Sequence, residues 1–289
     1  MTGIDAAWRA ANPLPEPDAD TDKNSRGRVL AAGGSLTVPG ALRLTGEAAL
    51  RAGAGKVQLA TVTLATLPLG IAMPEAAVYA LPANAAGELA DAAGETLCGY
   101  LERCDALVLG PGMGAEAGAE AILRPVLAAA GAHQSIVLDA AAIPAVAAMP
   151  DAVRRQGRII LTPHAGEMAR LMDCDEQEAK RNPEALARSA ADRFGAVVLL
   201  KGAETWIAAP DGSMLHYPGG GHGLATGGSG DILAGIIAGL LSRGAAPLTA
   251  SAWGVWLHGE AGRACANRIG PMGFLARELL PEIPGLMAV

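Results

Sequence analysis

Residues 218–241 read PGGGHGLATGGSGDILAGIIAGLL, and our interpretation of the chain is built around this segment. It begins with glycines and small residues and ends in an apolar run from Ile232 to Leu241. Closely spaced glycines allow positive φ and a close approach to a ligand, and the apolar run predicts a buried helix. A glycine loop leading into a helix offers free N–H groups and the positive end of the helix dipole to an anion. The stretch therefore predicts an anion-binding loop.

Asp231 falls in the first turn of this predicted helix. One interpretation is an acid that merely complements the helix dipole. A carboxylate beside a phosphate site repels the ligand, however, unless it has a chemical task. It would then accept a proton from a hydroxyl that attacks phosphorus, or hold Mg²⁺. We favour a functional role of this kind.

Composition excludes several classes of protein. The chain has 289 residues, a net charge of −7 and only 3% aromatic residues. The length suits one large α/β domain or two small ones, and the negative charge argues against non-specific binding to nucleic acid or anionic membranes. The four cysteines form no CxxC pair, so neither a zinc ribbon nor a disulfide framework is indicated. Residues 1–17 do not resemble a signal peptide, and we expect a cytoplasmic protein that engages no membrane.

The order of predicted elements indicates a mostly parallel sheet. A strand at 28–32, a helix and a strand at 56–61 form a βαβ unit. Later strands are predicted at 78–81, 106–109, 135–139, 158–161 and 196–200, before an antiparallel hairpin at 205–217. Helices are predicted, among others, over 85–103, 116–130, 176–194 and 273–280. We predict an N-terminal arm over residues 1–25 and a single domain over residues 26–289.

Residues able to do chemistry follow the predicted strands. Asp139, His164 and Lys201 each come just after a strand, as do the glycine turns at 33–34 and 110–114. In an open parallel sheet, these carboxyl ends share one edge, and ligands bind there. We therefore expect residues far apart in the sequence to meet in one cleft.

Each of these groups also has a structural interpretation. Gly110–Gly114 (GPGMG) fits a tight turn equally well, and the chain has neither a full Rossmann fingerprint nor a P-loop. A helix start explains Thr162, Pro163 and Glu167 but not His164, which we interpret as a ligand contact. Lys201 either emerges to solvent or pairs with a phosphate, and we favour the phosphate because a buried unpaired ammonium is costly. For Asp139 the two interpretations are balanced.

Six segments in this order resemble the ADP-dependent NAD(P)H-hydrate dehydratase family, a branch of the ribokinase-like superfamily, over about residues 23–280. They are Gly33–Ala41 (GGSLTVPGA), Ala48–Gly55 (AALRAGAG), Gly110–Gly114, Thr162–Glu167 (TPHAGE), Val198–Gly202 (VLLKG) and Ala225–Asp231 (ATGGSGD). The resemblance implies a three-layer ribokinase-like fold: a mostly parallel central sheet flanked by helices, with a late antiparallel hairpin. It also implies a homo-oligomer such as a tetramer.

The resemblance further implies a repair reaction on nicotinamide cofactors. The hydroxyl of the (6S) hydrate of NADH or NADPH takes a phosphoryl group from ADP, and phosphate then leaves to restore the cofactor, with release of AMP. Mg²⁺ would bridge the phosphates. Many relatives carry an N-terminal epimerase domain, and we expect this chain to lack that activity because only about 25 residues precede the match.

Site residues are carried across motif by motif. Asp231 would be the base, and the N–H groups of Gly228, Ser229 and Gly230 would stabilise the transferred phosphoryl group. Ala41, Gly112, His164 and Asp231 would bind the hydrate. The nucleotide would lie against Lys201, Gly202, Ala203, Glu204, Thr205 and Gly230. Relatives often have Tyr at Val38, Asn-Pro at Gly221-His222 and Asp at Ala141.

Two other functions fit the same motifs. A ribokinase-like kinase would use ATP and the same Asp231 on a small alcohol such as a vitamin precursor. A nucleotide-binding module without turnover would need the loop alone. The sequence does not decide between ADP and ATP, between the NADH and NADPH hydrates, or between oligomer sizes.

Overall fold

The computed structural model describes residues 2–16, 20–114 and 118–287. The strands are β1 (Thr2–Gly3), β2 (Arg28–Ala32), β3 (Lys56–Val62), β4 (Ala77–Leu81), β5 (Ala106–Leu109), β6 (Ser135–Leu138), β7 (Ile159–Leu161), β8 (Val197–Leu200), β9 (Thr205–Ala208) and β10 (Met214–Tyr217). The helices are α1 (Ala6–Ala11), α2 (Gly40–Arg51), α3 (Thr63–Ala72), α4 (Ala93–Leu101), α5 (Ala119–Ala129), α6 (Ala142–Ala145), α7 (Pro150–Gln156), α8 (Ala165–Met172), α9 (Glu176–Arg181), α10 (Pro183–Phe194), α11 (Ser229–Ser242), α12 (Pro247–Arg268) and α13 (Ile283–Met287).

The strands of the described chain form one sheet in the order β1-β10-β9-β8-β7-β6-β5-β2-β3-β4. All neighbouring strands run parallel except β8 with β9 and β9 with β10, which are antiparallel. The predicted mostly parallel sheet with a late antiparallel hairpin is therefore confirmed. The central strands are apolar because both faces of the sheet are covered by helices, and β5 and β6 are buried along their whole length.

This strand order brings together site residues that are far apart in the sequence, as we predicted. β2, β5, β6, β7 and β8 are consecutive parallel neighbours, so their carboxyl ends lie along one edge. The chain runs outward in opposite directions from β2 and β5, which makes the gap between them a topological switch point. The glycine turns that follow these two strands contact each other there, and the Gly34 N–H donates to the Pro111 carbonyl at 2.7 Å.

Several predicted helices differ from the structure. The segment 85–103 is helical only over α4, because residues 83–89 form a turn closed by an antiparallel bridge between Ala83 and Leu89. Asn182-Pro183 divides the predicted helix 176–194 into α9 and α10, and residues 276–282 form 3₁₀ turns instead of a helix. The predicted start of helix 116–130 lies outside the described residues. Within the described chain, no helix is long and apolar enough to cross a membrane.

The N-terminal arm lies along the hairpin edge of the sheet. β1 pairs in parallel with β10, and α1 places the Arg9 guanidinium 3.7 Å from the centre of the Trp256 ring on α12. The indole N–H of Trp253, also on α12, donates to the Asn12 carbonyl at 2.8 Å. The arm therefore covers an edge that would otherwise expose unpaired backbone groups.

Helices α2 and α11 pack with their backbones in close contact. A Cβ atom on Gly235 would lie 2.2 Å from the Thr45 carbonyl oxygen, and one on Gly239 would lie 2.6 Å from the Ala49 carbonyl oxygen. Only glycine leaves room for this approach. The contact places the N-termini of both helices at the edge of the sheet where the predicted site residues meet.

Candidate active site

The glycine loop leads into α11, whose first turn has backbone N–H groups that no side chain of the described residues caps. Gly228 has φ +90°, a left-handed conformation that favours glycine, and a Cβ atom there would lie 2.6 Å from a Leu44 methyl carbon. No side chain caps α11 in the described structure. The Ser229 N–H donates to the Thr226 carbonyl, and the Ile232 N–H donates to the Gly228 carbonyl. This pattern leaves the N–H groups of Gly230 and Asp231 for a ligand.

A buried network joins the ends of three neighbouring strands. The Lys201 ammonium donates to the Asp139 carboxylate at 2.9 Å, and the Thr162 hydroxyl donates to the same oxygen at 2.6 Å. The Lys201 ammonium also lies 4.0 Å from the Glu167 carboxylate. Asp139 is only 3% exposed. Lys201 therefore does not emerge freely to solvent, and Asp139, whose role the sequence left balanced, is its buried partner.

Both members of this pair are ionised. Burial alone would raise the pKa of Asp139, but the Lys201 ammonium and the hydrogen bonds outweigh it and hold that pKa below its usual range. Burial likewise opposes the charge on Lys201, and the carboxylates of Asp139 and Glu167 nevertheless raise its pKa. The cation is therefore permanent at neutral pH and is held in place before any ligand arrives.

Gly230 has no side chain, which keeps open the space beside the Lys201 ammonium and the first turn of α11, and both residues line one cavity. A Cβ atom on Gly230 would lie 3.5 Å from the Lys201 nitrogen and 3.9 Å from the second Asp139 oxygen. The ammonium thus lies beside the first turn of α11. A phosphate in this space would contact a cation, free N–H groups and the positive end of a helix dipole together.

The Asp231 carboxylate faces the glycine loop and has the raised pKa that a base in this space would need. Burial, and then the negative charge of Asp139, raise the pKa of Asp231 to about 6, against the opposing effect of Lys201. One of its carboxylate oxygens lies 4.0 Å from the position of a Cβ atom on Gly228, so it faces the glycine loop. A carboxylate with a pKa near 6 is mostly ionised at neutral pH and is more basic than an ordinary aspartate.

We expect turnover to fall on the acid side of this pKa. The value of kcat/KM should be flat above about pH 7 and should lose about tenfold per unit well below pH 6, because a protonated Asp231 cannot accept a proton. The measurement is a pH profile at saturating nucleotide. ADP binding over the same range provides the control, since it separates titration of the nucleotide from that of Asp231. A profile that stays flat down to pH 4 would contradict the assignment.

A cavity of about 790 Å³ adjoins Lys201 and the start of α11. Its walls come from the turn after β8, the loop before α11 and the face of α12 that carries Val255, His258 and Gly259. Five of the six predicted nucleotide residues line it: Lys201, Gly202, Ala203, Thr205 and Gly230. The sixth, Glu204, instead pairs with His216 at 2.9 Å on the outer side of the hairpin. Gly221 and His222, at one of the departures from the relatives, also line the cavity.

His164 has a structural task that the sequence did not reveal. Its Nδ1 atom accepts the backbone N–H groups of Gly166 and Glu167 and so caps α8, while the Glu167 carboxylate accepts the His164 N–H at 2.8 Å. With Nδ1 occupied, the neutral ring carries its proton on Nε2, which lies 3.3 Å from Glu167. The imidazole is 55% exposed and lines the cavity near Lys201, away from the Ala41–Gly112 contact described next.

A second candidate binding region, the Ala41–Gly112 cradle, lies at the topological switch point between β2 and β5. A Cβ atom on Gly112 would be 2.8 Å from the Ala41 methyl group and 2.7 Å from the Val38 carbonyl oxygen, so these residues touch at the start of α2. Leu36 and Val38 are about half exposed beside them. The predicted hydrate residues Ala41 and Gly112 thus come together, at a place that the cavity lining does not include.

Sequence reasoning missed His258 and Tyr217. Both line the cavity, and a Cβ atom on Gly259 would lie 2.2 Å from the Tyr217 hydroxyl oxygen, so the ring fits only against a glycine. A single histidine within the apolar segment 250–262 was the signal that could have drawn attention to α12. No local pattern links this helix to the glycine loop.

Fold and site together define a ribokinase-like protein. A Bacillus subtilis ADP/ATP-dependent NAD(P)H-hydrate dehydratase, co-crystallised with ATP/Mg²⁺, superposes with a TM-score of 0.84 at 28% identity, covering 100% of this chain and 98% of that one. An Enterococcus faecalis ribokinase-like superfamily protein superposes with a TM-score of 0.83 at 27% identity, covering 100% of this chain and 95% of the other. A Pyrococcus horikoshii hydroxyethylthiazole kinase, at 17% identity, shares the fold.

The sequence narrows this class to one family. The family model described as NAD(P)H-hydrate dehydratase matches residues 29–285. An ADP-dependent (S)-NAD(P)H-hydrate dehydratase of Xanthomonas campestris pv. campestris is 45% identical, and the alignment covers 99% of this chain and 98% of that protein. The chain therefore belongs to the NAD(P)H-hydrate dehydratase family, which confirms the predicted resemblance.

Other relatives are longer. A bifunctional NAD(P)H-hydrate repair enzyme of Escherichia coli is 37% identical over 90% of this chain, and the alignment covers 47% of that enzyme. The chain thus spans about half the length of the bifunctional relatives that it matches.

Proposed function

We propose that this protein is an ADP-dependent lyase that removes water from the (6S) hydrate of NADH or NADPH and thereby repairs the cofactor. One observation carries the proposal: a partly buried carboxylate with a raised pKa lies at a helix N-terminus suited to an anion, with a cation on one side of it. Phosphoryl transfer to a hydroxyl needs this combination of base, anion site and fixed positive charge.

The reaction divides between the two regions of the site. The hydrate lies in the cradle of Ala41 and Gly112, whose half-exposed rim of Leu36 and Val38 suits an apolar ring edge. ADP lies in the 790 Å³ cavity, with its terminal phosphate between Lys201 and the N-terminus of α11. His164 lies beside the position of this phosphate, where it contacts either ADP or the hydrate.

Asp231 takes the hydroxyl proton as the hydrate oxygen attacks the β-phosphorus of ADP, and the bond to AMP breaks. The free N–H groups of Gly230 and Asp231 receive the negative charge that develops on the phosphoryl oxygens, whereas the Ser229 N–H, predicted for this role, is bonded to the Thr226 carbonyl. The phosphate ester on the ring then leaves with its bonding electrons. Loss of a proton from the adjacent ring carbon restores the double bond, so the products are NAD(P)H, phosphate and AMP.

Magnesium fits this site as a companion of the nucleotide. Over residues 2–16, 20–114 and 118–287, no group of three or more His, Cys, Asp or Glu side chains is arranged to hold a metal ion. Mg²⁺ in nucleotide sites commonly keeps several waters and binds mainly through the phosphates, so it needs no dedicated cage of side chains. When bound, the ion would neutralise phosphate charge.

The test is the absorbance at 340 nm of chemically hydrated NADH with purified protein, Mg²⁺ and either ADP or ATP. A rise with ADP is expected, and the ratio of the rates with ADP and ATP measures the nucleotide preference. The same assay with hydrated NADPH compares the two cofactors. If protein that binds nucleotide produces no rise with either nucleotide, a kinase of a small alcohol becomes the better assignment.

We also propose that the protein is a homo-oligomer through helix α3. Leu64, Leu67 and Ile71 lie on one face of this helix at helical spacing and are 72–75% exposed. The helix packs beside β4, the last strand of the sheet, so the apolar face continues along an open edge. A second copy of this chain would cover both, and such a two-fold contact is one of those that a tetramer needs.

Light scattering of the purified protein tests this contact. Leu67→Asp is expected to lower the measured mass to that of a smaller species, because it places a charge in the buried contact. Met272→Asp is the matched control, since Met272 is equally exposed (72%) on another surface. A wild-type protein that is monomeric at all concentrations would refute the proposal.

The remaining assignments stay predictions. The four cysteines are free thiols, as the cytoplasm would keep them. Residues 26–289 are proposed as one catalytic domain, and residues 1–25 as an arm that supports the hairpin edge through β1 and α1.

A further inference from the structure

His258 reaches the glycine loop from a different helix. It lies on α12, and its Nε2 atom is 2.9 Å from the hydroxyl oxygen of Ser229, the first residue of α11. The residue that opens the anion-binding helix is therefore held by one side chain from outside the loop.

The imidazole of His258 is neutral under ordinary conditions. Burial, and to a smaller extent the positive charge of Lys201, lower the pKa of His258 to about 4 against the opposing hydrogen bond to Ser229. A neutral ring adds no positive charge to the phosphate site, so attraction of the nucleotide is left to Lys201. What the ring supplies is a directional hydrogen bond to Ser229.

The residues on either side of Ser229 do little to hold its backbone in place. Gly228 before it has a left-handed conformation, and Gly230 after it has no side chain, so no neighbouring side chain stabilises this turn from within. The helix also lacks a side-chain cap in the described structure. A tether from α12 is thus the contact that fixes where the first N–H groups of α11 point.

We propose that His258 is a positioning residue for phosphoryl transfer, which holds Ser229 so that its hydroxyl and the first N–H groups of α11 face the phosphoryl group in the transition state. This inference depends on the proposed function. His258 does not itself touch the reacting atoms, and Asp231 remains the base. Interactions that matter only in the transition state change kcat and leave ground-state binding nearly unchanged.

Variants at both ends of the hydrogen bond test the proposal in the hydrate dehydration assay. His258→Leu removes the bond, and we expect kcat to fall roughly 10- to 100-fold while the KM for ADP changes less than about twofold. His258→Gln keeps a polar group near the position of Nε2 and should recover most of kcat. Ser251→Ala is the control, because Ser251 is also buried on α12 and its hydroxyl has no hydrogen-bond partner within the described residues.

A double-mutant cycle separates positioning from packing. Ser229→Ala should lower kcat to a similar degree, and the double variant Ser229→Ala/His258→Leu should be little worse than either single variant. Thermal unfolding of each variant shows whether it folds. If His258→Leu does not fold, Ser229→Ala and His258→Gln still decide the question, because only a positioning role predicts loss in the first and recovery in the second.

The outcomes distinguish this proposal from the proposed function. A wild-type protein that turns over the hydrate, together with additive losses or an equal rise in the KM for ADP, would overturn the role of His258 alone. A wild-type protein with no turnover, in which nucleotide binding is intact, would overturn the proposed function and this inference with it.

Discussion

Replacing Asp231 with Asn is expected to lower kcat by about 10³- to 10⁴-fold while ADP still binds. General-base catalysis contributes factors up to this size, and the amide cannot accept the hydroxyl proton. The carboxylate with its pKa of about 6 lies beside the phosphate space without being a main contact of the nucleotide. The measurement combines steady-state kinetics on the hydrate with calorimetric titration of ADP. Tighter ADP binding is expected, because a negative charge beside the phosphate is lost.

A stability measurement provides the control for this variant. The pKa of Asp231 is raised from 3.8 to about 6 on folding, so the ionised carboxylate opposes folding at pH values above that range. This cost disappears as the pH falls from about 6 to below 4. At neutral pH, Asp231→Asn should therefore unfold at a higher temperature, with a gain of up to about 3 kcal/mol. Unchanged turnover in this variant would remove Asp231 from the mechanism.

Replacing Lys201 with Met is expected to destabilise the protein by about 3–5 kcal/mol. The variant leaves the Asp139 carboxylate buried with no cation, and breaking one side of a buried pair costs this much. The KM for ADP should also rise roughly 10- to 100-fold, which corresponds to the loss of a charged hydrogen bond to phosphate. Urea unfolding and steady-state kinetics measure the two effects separately.

The double variant Asp139→Asn/Lys201→Met separates the contribution of Lys201 to protein stability from its contribution to ADP binding. Because it removes both charges, most of the lost stability should return, whereas the weak ADP binding should remain. Arg28→Met is the matched control: Arg28 pairs with Asp105 at 2.7 Å, but both side chains are about 30% exposed. That change should cost no more than about 1 kcal/mol. If Arg28→Met and Lys201→Met lowered the free energy of unfolding equally, burial of the Lys201–Asp139 pair would add nothing to its effect on stability.

Much of the candidate site could be predicted because it follows strands. Asp139 and Lys201 come directly after apolar strands, and the parallel order of those strands determines that they meet. The glycine loop and Asp231 could be recognised for a similar reason, since a helix N-terminus is a local feature that neighbouring residues encode. The family resemblance added the chemistry that we predict for these positions.

Other features depend on contacts between distant segments, and local patterns do not carry them. His258 is 29 positions from Ser229, and only the packing of α12 on α11 brings them together. The helix predicted over 85–103 was wrong in its first part because the bridge between Ala83 and Leu89 overrides local helix propensity. Asn182-Pro183, in contrast, was a recognisable break within the predicted helix 176–194, since proline favours the first turn of a new helix.

In the proposed reaction, the close contact between α2 and α11 would set the distance between the phosphoryl donor and its acceptor. Helix α2 begins at the cradle proposed for the acceptor, and α11 begins at the loop proposed for the donor. Where the two helices meet, backbone carbonyl oxygens of α2 lie against glycines of α11, which have no side chain that could move to make room. A methyl group at Gly235 would have to widen the gap, because the Thr45 carbonyl oxygen would be only 2.2 Å away. Misplacement by about 1 Å can cost a reaction 10²-fold in rate. Under the proposed function, residues that contact no ligand would thus set the distance over which the phosphoryl group moves, and this part of the core has less freedom to vary than its apolar composition suggests.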